Sequence, residues 1–142
     1  MSEPSSPSSQ LLPVNPVDLQ SHWEEIRKGL VIVQEKASDG WIAEDIYHAI
    51  KVGSSFLYEG FVDQEYVGFV VLTPMQGYDC KKLHIWCAYN SGDKSVLDLM
   101  YPELVKLAKG INAKKITFAS PRRWERRLPD WKVVTTYYEK DV

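Results

Sequence analysis

The stretch Lys82-Leu83-His84-Ile85-Trp86-Cys87-Ala88-Tyr89, followed by Asn90-Ser91-Gly92-Asp93-Lys94-Ser95, decides how this chain is read. Strict alternation sets Leu83, Ile85, Cys87 and Tyr89 on one face of a strand and His84, Trp86 and Ala88 on the other. Both faces are apolar enough for a central position in a sheet. Ser91-Gly92-Asp93 then opens a long helix, in which Val96, Leu97, Met100, Leu104, Leu107 and Ala108 recur at helical spacing, and Gly110 marks its end.

Upstream, residues 55–62 and 66–73 are rich in β-branched and aromatic side chains and are joined by Asp63-Gln64-Glu65. They read as a β-hairpin, and Pro74-Met75-Gln76-Gly77 leads from it into the central strand. Before the hairpin, Asn15-Pro16-Val17-Asp18 reads as a helix start, with Asn15 as N-cap and Pro16 at the first helical position. Leu19, Trp23, Ile26, Leu30 and Val33 then mark one buried face, up to about Lys36, before Ser38-Asp39-Gly40 ends the element. A second helix is expected from Ala43 to about Val52, with Ile46, Tyr47 and Ile50 inward and Gly53 as its stop.

Downstream, Ile116-Thr117-Phe118 reads as a short buried strand, followed by a basic turn or helix over residues 122–128 and a last strand over residues 131–139. The pairs Lys81-Lys82 and Lys114-Lys115 each flank a strand and read as blunting its end. At the other end of the chain, residues 1–15 are rich in Ser and Pro and offer little apolar area to offset ordering entropy. They are expected to be a flexible arm attached to a domain of residues 16–142, with Leu11, Leu12 and Val14 as anchors on a partner chain.

Composition bounds the rest. With 142 residues, 44% hydrophobic, and 17 basic against 19 acidic side chains, the chain is sized for one core and is not disordered throughout. No window approaches the roughly 18 unbroken apolar residues of a spanning helix. A net charge of -2 argues against a general nucleic-acid binder, so any basic function must be local. Cys80 and Cys87 are too few for a disulfide scaffold and lack the spacing of a zinc site, so reduced thiols and no metal are expected. The first ten residues lack the basic and apolar regions of a signal peptide, which points to the cytoplasm.

The order helix, helix, three antiparallel strands, helix, strand, short helix, strand resembles the GCN5-related N-acetyltransferase (GNAT) family. Tyr66-Val67-Gly68-Phe69 looks like that family's hairpin strand, residues 82–89 like its central strand, and Asp130-Trp131 like the Gly-Phe before its final strand. Leu83-His84-Ile85, Arg122-x-Trp124-x-Arg126, Trp131 and Tyr137-Tyr138-Glu139-Lys140 resemble, more narrowly, small GNAT-like proteins of tailed bacteriophages. The resemblance implies an α/β fold with a mixed, mostly antiparallel sheet and helices on both sides. It also implies a role as a virion or virion-associated component.

In an active member of the family, acetyl-CoA lies at the splayed end of the central strand, and the next loop cradles its pyrophosphate. The resemblance places that loop at Tyr89, Asn90, Ser91, Gly92 and Lys94. The family's loop carries a leading Gln or Arg and two small residues. Here one glycine remains and Asp93 sits where phosphate charge would lie, so Ser91 or Asp93 reads more simply as a helix cap. Acetyl transfer needs a base and an acid. His84 is the candidate base, with Glu59 as an alternative, and Tyr89 and Tyr138 are candidate acids. The family's usual acid, a Tyr five residues before the terminal Phe, is replaced by Arg126, which cannot donate a proton at neutral pH.

Arg122, Arg123, Arg126 and Arg127 gather around Trp124 in six residues. That composition suits a protein interface, and contact with a DNA backbone is the less favoured use. The alternative is a solvated helix face. The sequence therefore leans away from an enzyme, toward a catalytically degenerate GNAT-fold interaction protein. It would bind no cofactor and would dock on a larger phage assembly through its arm and its Arg/Trp patch. An acetyl-CoA-dependent N-acetyltransferase is the alternative.

Overall fold

The computed structural model of the chain describes residues 8–37, 40–120, 131–134 and 138–142. Its elements, in chain order, are β1 (Ser9–Pro13), a 3-10 turn (Pro16–Asp18), α1 (Leu19–Ala37), α2 (Ala43–Lys51), β2 (Phe56–Val62), β3 (Glu65–Gln76), β4 (Lys81–Asn90), α3 (Val96–Gly110) and β5 (Lys115–Phe118). The strands form one sheet in sequence order, with β1 to β4 antiparallel and β5 parallel to β4. The expected mixed, mostly antiparallel sheet with helices on both sides is what the chain forms.

Successive residues of β3 feed opposite cores. Phe69 and Val71 pack with Leu57 and Cys87 under Leu19, Ile26 and Leu30 of α1 and Ile46 and Ile50 of α2. Val70 and Leu72 pack with Leu83 and Ile85 under Val96, Met100 and Leu104 of α3. Full burial of such side chains contributes about 1.5–3 kcal/mol each, so the two cores hold the helices on either side of the sheet. Among the described residues no helix is long and apolar enough to cross a membrane.

Local chemistry explains the boundaries. Asn15 Oδ1 accepts the Val17 N–H at 3.0 Å, and Pro16 follows the cap. The Asp45 carboxylate accepts the Ile42 N–H at 2.9 Å and closes the start of α2. Asp63 and Gln64, both at positive φ, make the two-residue turn between β2 and β3. Gly68 has φ 146, and a Cβ there would strike the Tyr89 carbonyl of β4. Only glycine lets the two strands approach at that point.

Three expectations are corrected. Ser9–Pro13 is not a flexible arm: it pairs with β2 from Ser9↔Val62 to Pro13↔Tyr58, and Val14 N–H donates to Leu57 carbonyl at 2.9 Å. Backbone pairing with a distant strand supplies the order that its composition lacks. α3 ends at Gly110 as expected, and Asn112 at φ 61 closes the turn beyond it, with Asn112 N–H on the Lys109 carbonyl and Ala113 N–H on the Ala108 carbonyl. Residues 131–134 carry no strand; of the expected last strand, residues 135–137 lie outside the described part, as do residues 1–7 of the arm.

The third correction concerns the faces of β4. Val71 pairs with Cys87 but Leu72 with Ile85, so Trp86 is an extra residue in β4. A bulge reverses the alternation beyond it. Leu83 and Ile85 therefore join the α3 core, whereas Cys87 and Tyr89 join the α1 and α2 core.

Candidate functional site

The bulge coincides with the place where the sheet parts. β5 pairs with β4 only from Lys82↔Lys115 to Ile85↔Phe118, while β4 continues along β3 to Asn90. From Trp86 to Asn90, one edge of β4 has no strand partner among the described residues. His84 lies just before the parting, and its Nδ1 is 2.9 Å from the Thr117 hydroxyl of β5. Burial holds the imidazole below its ordinary pKa of 6.5, so it is neutral at physiological pH. A neutral imidazole can accept a proton, and Thr117 orients it. Sequence gave no hint of Thr117, since its place beside His84 depends on the register of a parallel pair.

The other candidate base is elsewhere. Glu59 lies in a cross-strand row with Leu12, Phe69 and Tyr89, whereas His84 pairs with Thr73. Two strands across and four residues along separate them by roughly 16 Å, from the spacings of a pleated sheet. Glu59 instead neighbours Tyr66, whose phenol is held well above its ordinary pKa by burial first, then by Glu59, Tyr89 and Glu25. Tyr89 packs on Phe69 with ring centroids 5.3 Å apart, beneath Gly29 of α1, where a Cβ would meet both rings. It lies on the same side of the sheet as His84, which alternates with Leu83 and Ile85 of the α3 core. Tyr138 is 86% exposed and lies in no regular element. Burial pushes the Cys87 thiol up to about 12, which leaves it inert as a nucleophile.

The loop after β4 is tied down by its own chain. Asn90 Oδ1 accepts the Val96 N–H of α3 at 2.7 Å. Ser91 N–H donates to the Val67 carbonyl at 3.0 Å, and Ser91 Oγ to the Tyr66 carbonyl at 3.3 Å. The N-cap position belongs to Ser95, so neither Ser91 nor Asp93 caps the helix, and the capping side chain comes from Asn90 at the end of the strand. Gly92 has open space where a Cβ would be, so nothing in this chain requires a glycine there. Asp93 and Asp98 both stand exposed at the start of α3, with Lys94 as the cation of the loop. Carboxylates suit the positive end of a helix and oppose a diphosphate. The open edge of β4 suits an amide-bearing chain such as the pantetheine arm of acetyl-CoA; the loop does not suit that cofactor's phosphates.

The expected partner anchors are used internally in two cases. Val14 is buried in the α1 and α2 core, and Leu11 packs on the α3 core, because β1 is part of the sheet; Leu12 is 47% exposed. Trp131 packs edge-on against Phe118 at 5.1 Å and Tyr101 at 6.2 Å, which sets the segment after the described gap over the α3 face. Arg122, Arg123, Trp124, Arg126 and Arg127 lie outside the described residues.

No protein-family model and no curated protein matches the sequence. Solved structures do match the fold. A ribosomal-protein-alanine N-acetyltransferase from Brucella melitensis biovar Abortus 2308 superposes with TM-score 0.64 at 14% identity, over 95% of this chain and 99% of that one. A GNAT family acetyltransferase from Staphylococcus aureus subsp. aureus USA300_TCH1516 gives 0.62 at 15% identity, over 97% and 100%. An aminoglycoside acetyltransferase from an uncultured soil metagenomic sample, solved with sisomicin, gives 0.60 at 11% identity, over 94% and 97%. With its parted central strands, bulge and flanking helices, the chain has the fold of the GNAT acetyltransferases.

Proposed function

We propose that this chain is a GNAT-fold interaction protein that retains the parted strands of the family but not its phosphate-binding loop. The observation that carries this reading is the engagement of Val96 N–H by Asn90 Oδ1 at 2.7 Å, beside the carboxylates Asp93 and Asp98. A backbone donor that would face a diphosphate is already satisfied, and the local charge is of the wrong sign. The resemblance of His84, Trp124 and the Arg cluster to small GNAT-like phage proteins supports a place as a virion or virion-associated component. The Arg/Trp patch and exposed Leu12 would then meet other protein subunits.

A second reading, an acetyl-CoA-dependent N-acetyltransferase, is favoured by the open edge of β4 and by neutral His84 held by Thr117. In that reading acetyl-CoA supplies the acyl group, and His84 is the residue of this chain placed to take a proton from an acceptor amine. Calorimetry separates the two. The interaction reading expects acetyl-CoA affinity weaker than about 10 μM, and about tenfold tighter binding on Asp93→Gly, equivalent to about 1.4 kcal/mol of relieved repulsion. Tight binding by the unaltered chain would replace it with the enzyme.

A further inference from the structure

Five lysines that are scattered along the sequence meet at one end of the sheet. Lys81 and Lys82 begin β4, Lys114 and Lys115 lead into β5, and Lys109 is in the last turn of α3. Lys82 pairs with Lys115 across the strands, Lys114 N–H donates to the Lys81 carbonyl at 2.8 Å, and Asn112 N–H returns to the Lys109 carbonyl at 3.1 Å. These contacts place the five on adjoining strand and helix ends, where Lys82 and Lys115 share the α1 and α2 side of the sheet and Lys81 and Lys114 the α3 side. Asp79 is the single carboxylate on the turn beside them; it pairs with Lys115 at 3.4 Å. The other four lysines have no ion-pair partner among the described residues. At the same end, the turn closed by Gly77 N–H on the Cys80 carbonyl holds Tyr78 out of the protein altogether, at 112% relative exposure, and Met75 beside it is 49% exposed.

A chain of net charge -2 that concentrates five ammonium groups against one carboxylate has a strongly polar charge distribution. Like charges brought together without counter-charges repel one another, and a polyanion removes that repulsion. A fully exposed tyrosine ring next to such a patch is the pairing that single-stranded nucleic acids meet on their binding proteins: phosphates on the cations, a base stacked on the ring.

We infer that this end of the sheet, built from Lys81, Lys82, Lys109, Lys114 and Tyr78, is a docking surface for single-stranded nucleic acid. It lies at the starts of β4 and β5, away from the loop that follows β4, and it is independent of whether the chain binds acetyl-CoA. Phosphates sit on the four unpaired ammonium groups and a base stacks on Tyr78. Recognition is independent of base sequence, since lysine reads the backbone and the ring accepts any base.

The test is fluorescence anisotropy of the full chain with a labelled oligothymidylate of about 20 nucleotides, longer than the roughly 4–16 that one small domain covers. Binding is expected at about 50 mM salt, weakening with a log–log slope of about -3 if four phosphates are neutralised. Lys81→Gln, Lys82→Gln and Lys114→Gln together should weaken binding at least about tenfold and reduce the slope by about 2, while circular dichroism shows the fold intact. Tyr78→Ala should weaken it at least about fivefold and leave the slope unchanged. Absence of binding by the unaltered chain at low salt overturns the inference. So does a folded triple variant that binds as well as the original, which would send the oligonucleotide to another surface. Unchanged binding by Tyr78→Ala also overturns it, since charge alone would then describe a surface for an acidic protein.

Discussion

The two halves of β4 live in different surroundings although they belong to one strand. From Lys82 to Ile85 it is paired on both sides, by β3 and by β5, and its apolar side chains enter the α3 core. From Cys87 to Asn90 it is paired by β3 alone among the described residues, and Cys87 and Tyr89 turn to the α1 and α2 core. One inserted residue shifts the alternation, and it falls where the pairing with β5 ends. The contrast shows how a single sheet can be a sealed core over half its central strand and an open edge over the other half, with only the bulge at Trp86 interrupting the ladder to β3.

Substitutions can break this contrast or sharpen it. The largest effect is expected at Gly68→Ala, which puts a Cβ against the Tyr89 carbonyl at a φ of 146 and should separate β3 from the outer half of β4. We expect a loss of about 4 kcal/mol in urea or thermal unfolding, well above an ordinary glycine-to-alanine change. Normal stability would mean that the strands are farther apart than described. Ile85→Ala, in the sealed half, should cost about 3 kcal/mol by leaving a cavity under α3. The same truncation at Trp86, which is partly buried at the bulge, should cost less, and the difference between the two measures how sealed each half is.

Asn90→Ala acts at the outer end. Removal of the side chain that caps Val96 should cost about 1 kcal/mol of stability, the usual value of a lost helix cap. The smallest effect is expected from His84, at the junction of the halves. Its folded pKa lies below the unfolded value of 6.5, so the unfolded chain binds the proton more readily. Its contribution to stability is fully present above pH 6.5 and is lost as pH falls through the folded pKa. His84→Gln should therefore unfold with a flatter pH dependence below pH 6.5 than the original chain, and identical profiles would show that the imidazole is not desolvated.

Much of the fold is legible without coordinates. Leu19, Ile26 and Leu30 recur at helical spacing and are all buried; the Asp63-Gln64 turn, the Asn15 cap and the strand around Ile116 stand close to where their chemistry puts them. The candidate site was less legible. Thr117 beside His84 carries no mark in the sequence, and Glu59 lies two strands away from that pair. Those relations span two or three elements, and no residue carries them alone.

Periodicity, caps and turns are local, acting within about a turn of helix or a hairpin, so the sequence by itself determined α1 to α3, β2 to β5 and which helix faces are buried. Three features were decided only by the tertiary structure. Ser9–Pro13 is a strand because β2, some fifty residues away in sequence, offers it a free edge. Cys87 and Ile85 face opposite cores because β3 and β4 pair around an extra Trp86. Lys81, Lys82, Lys109, Lys114 and Lys115 come to one end of the sheet because a parallel β5 and the end of α3 bring those strand and helix ends together. In each case the deciding energy is backbone pairing between segments distant in the chain, and such pairing leaves no mark on the composition or spacing of either segment alone.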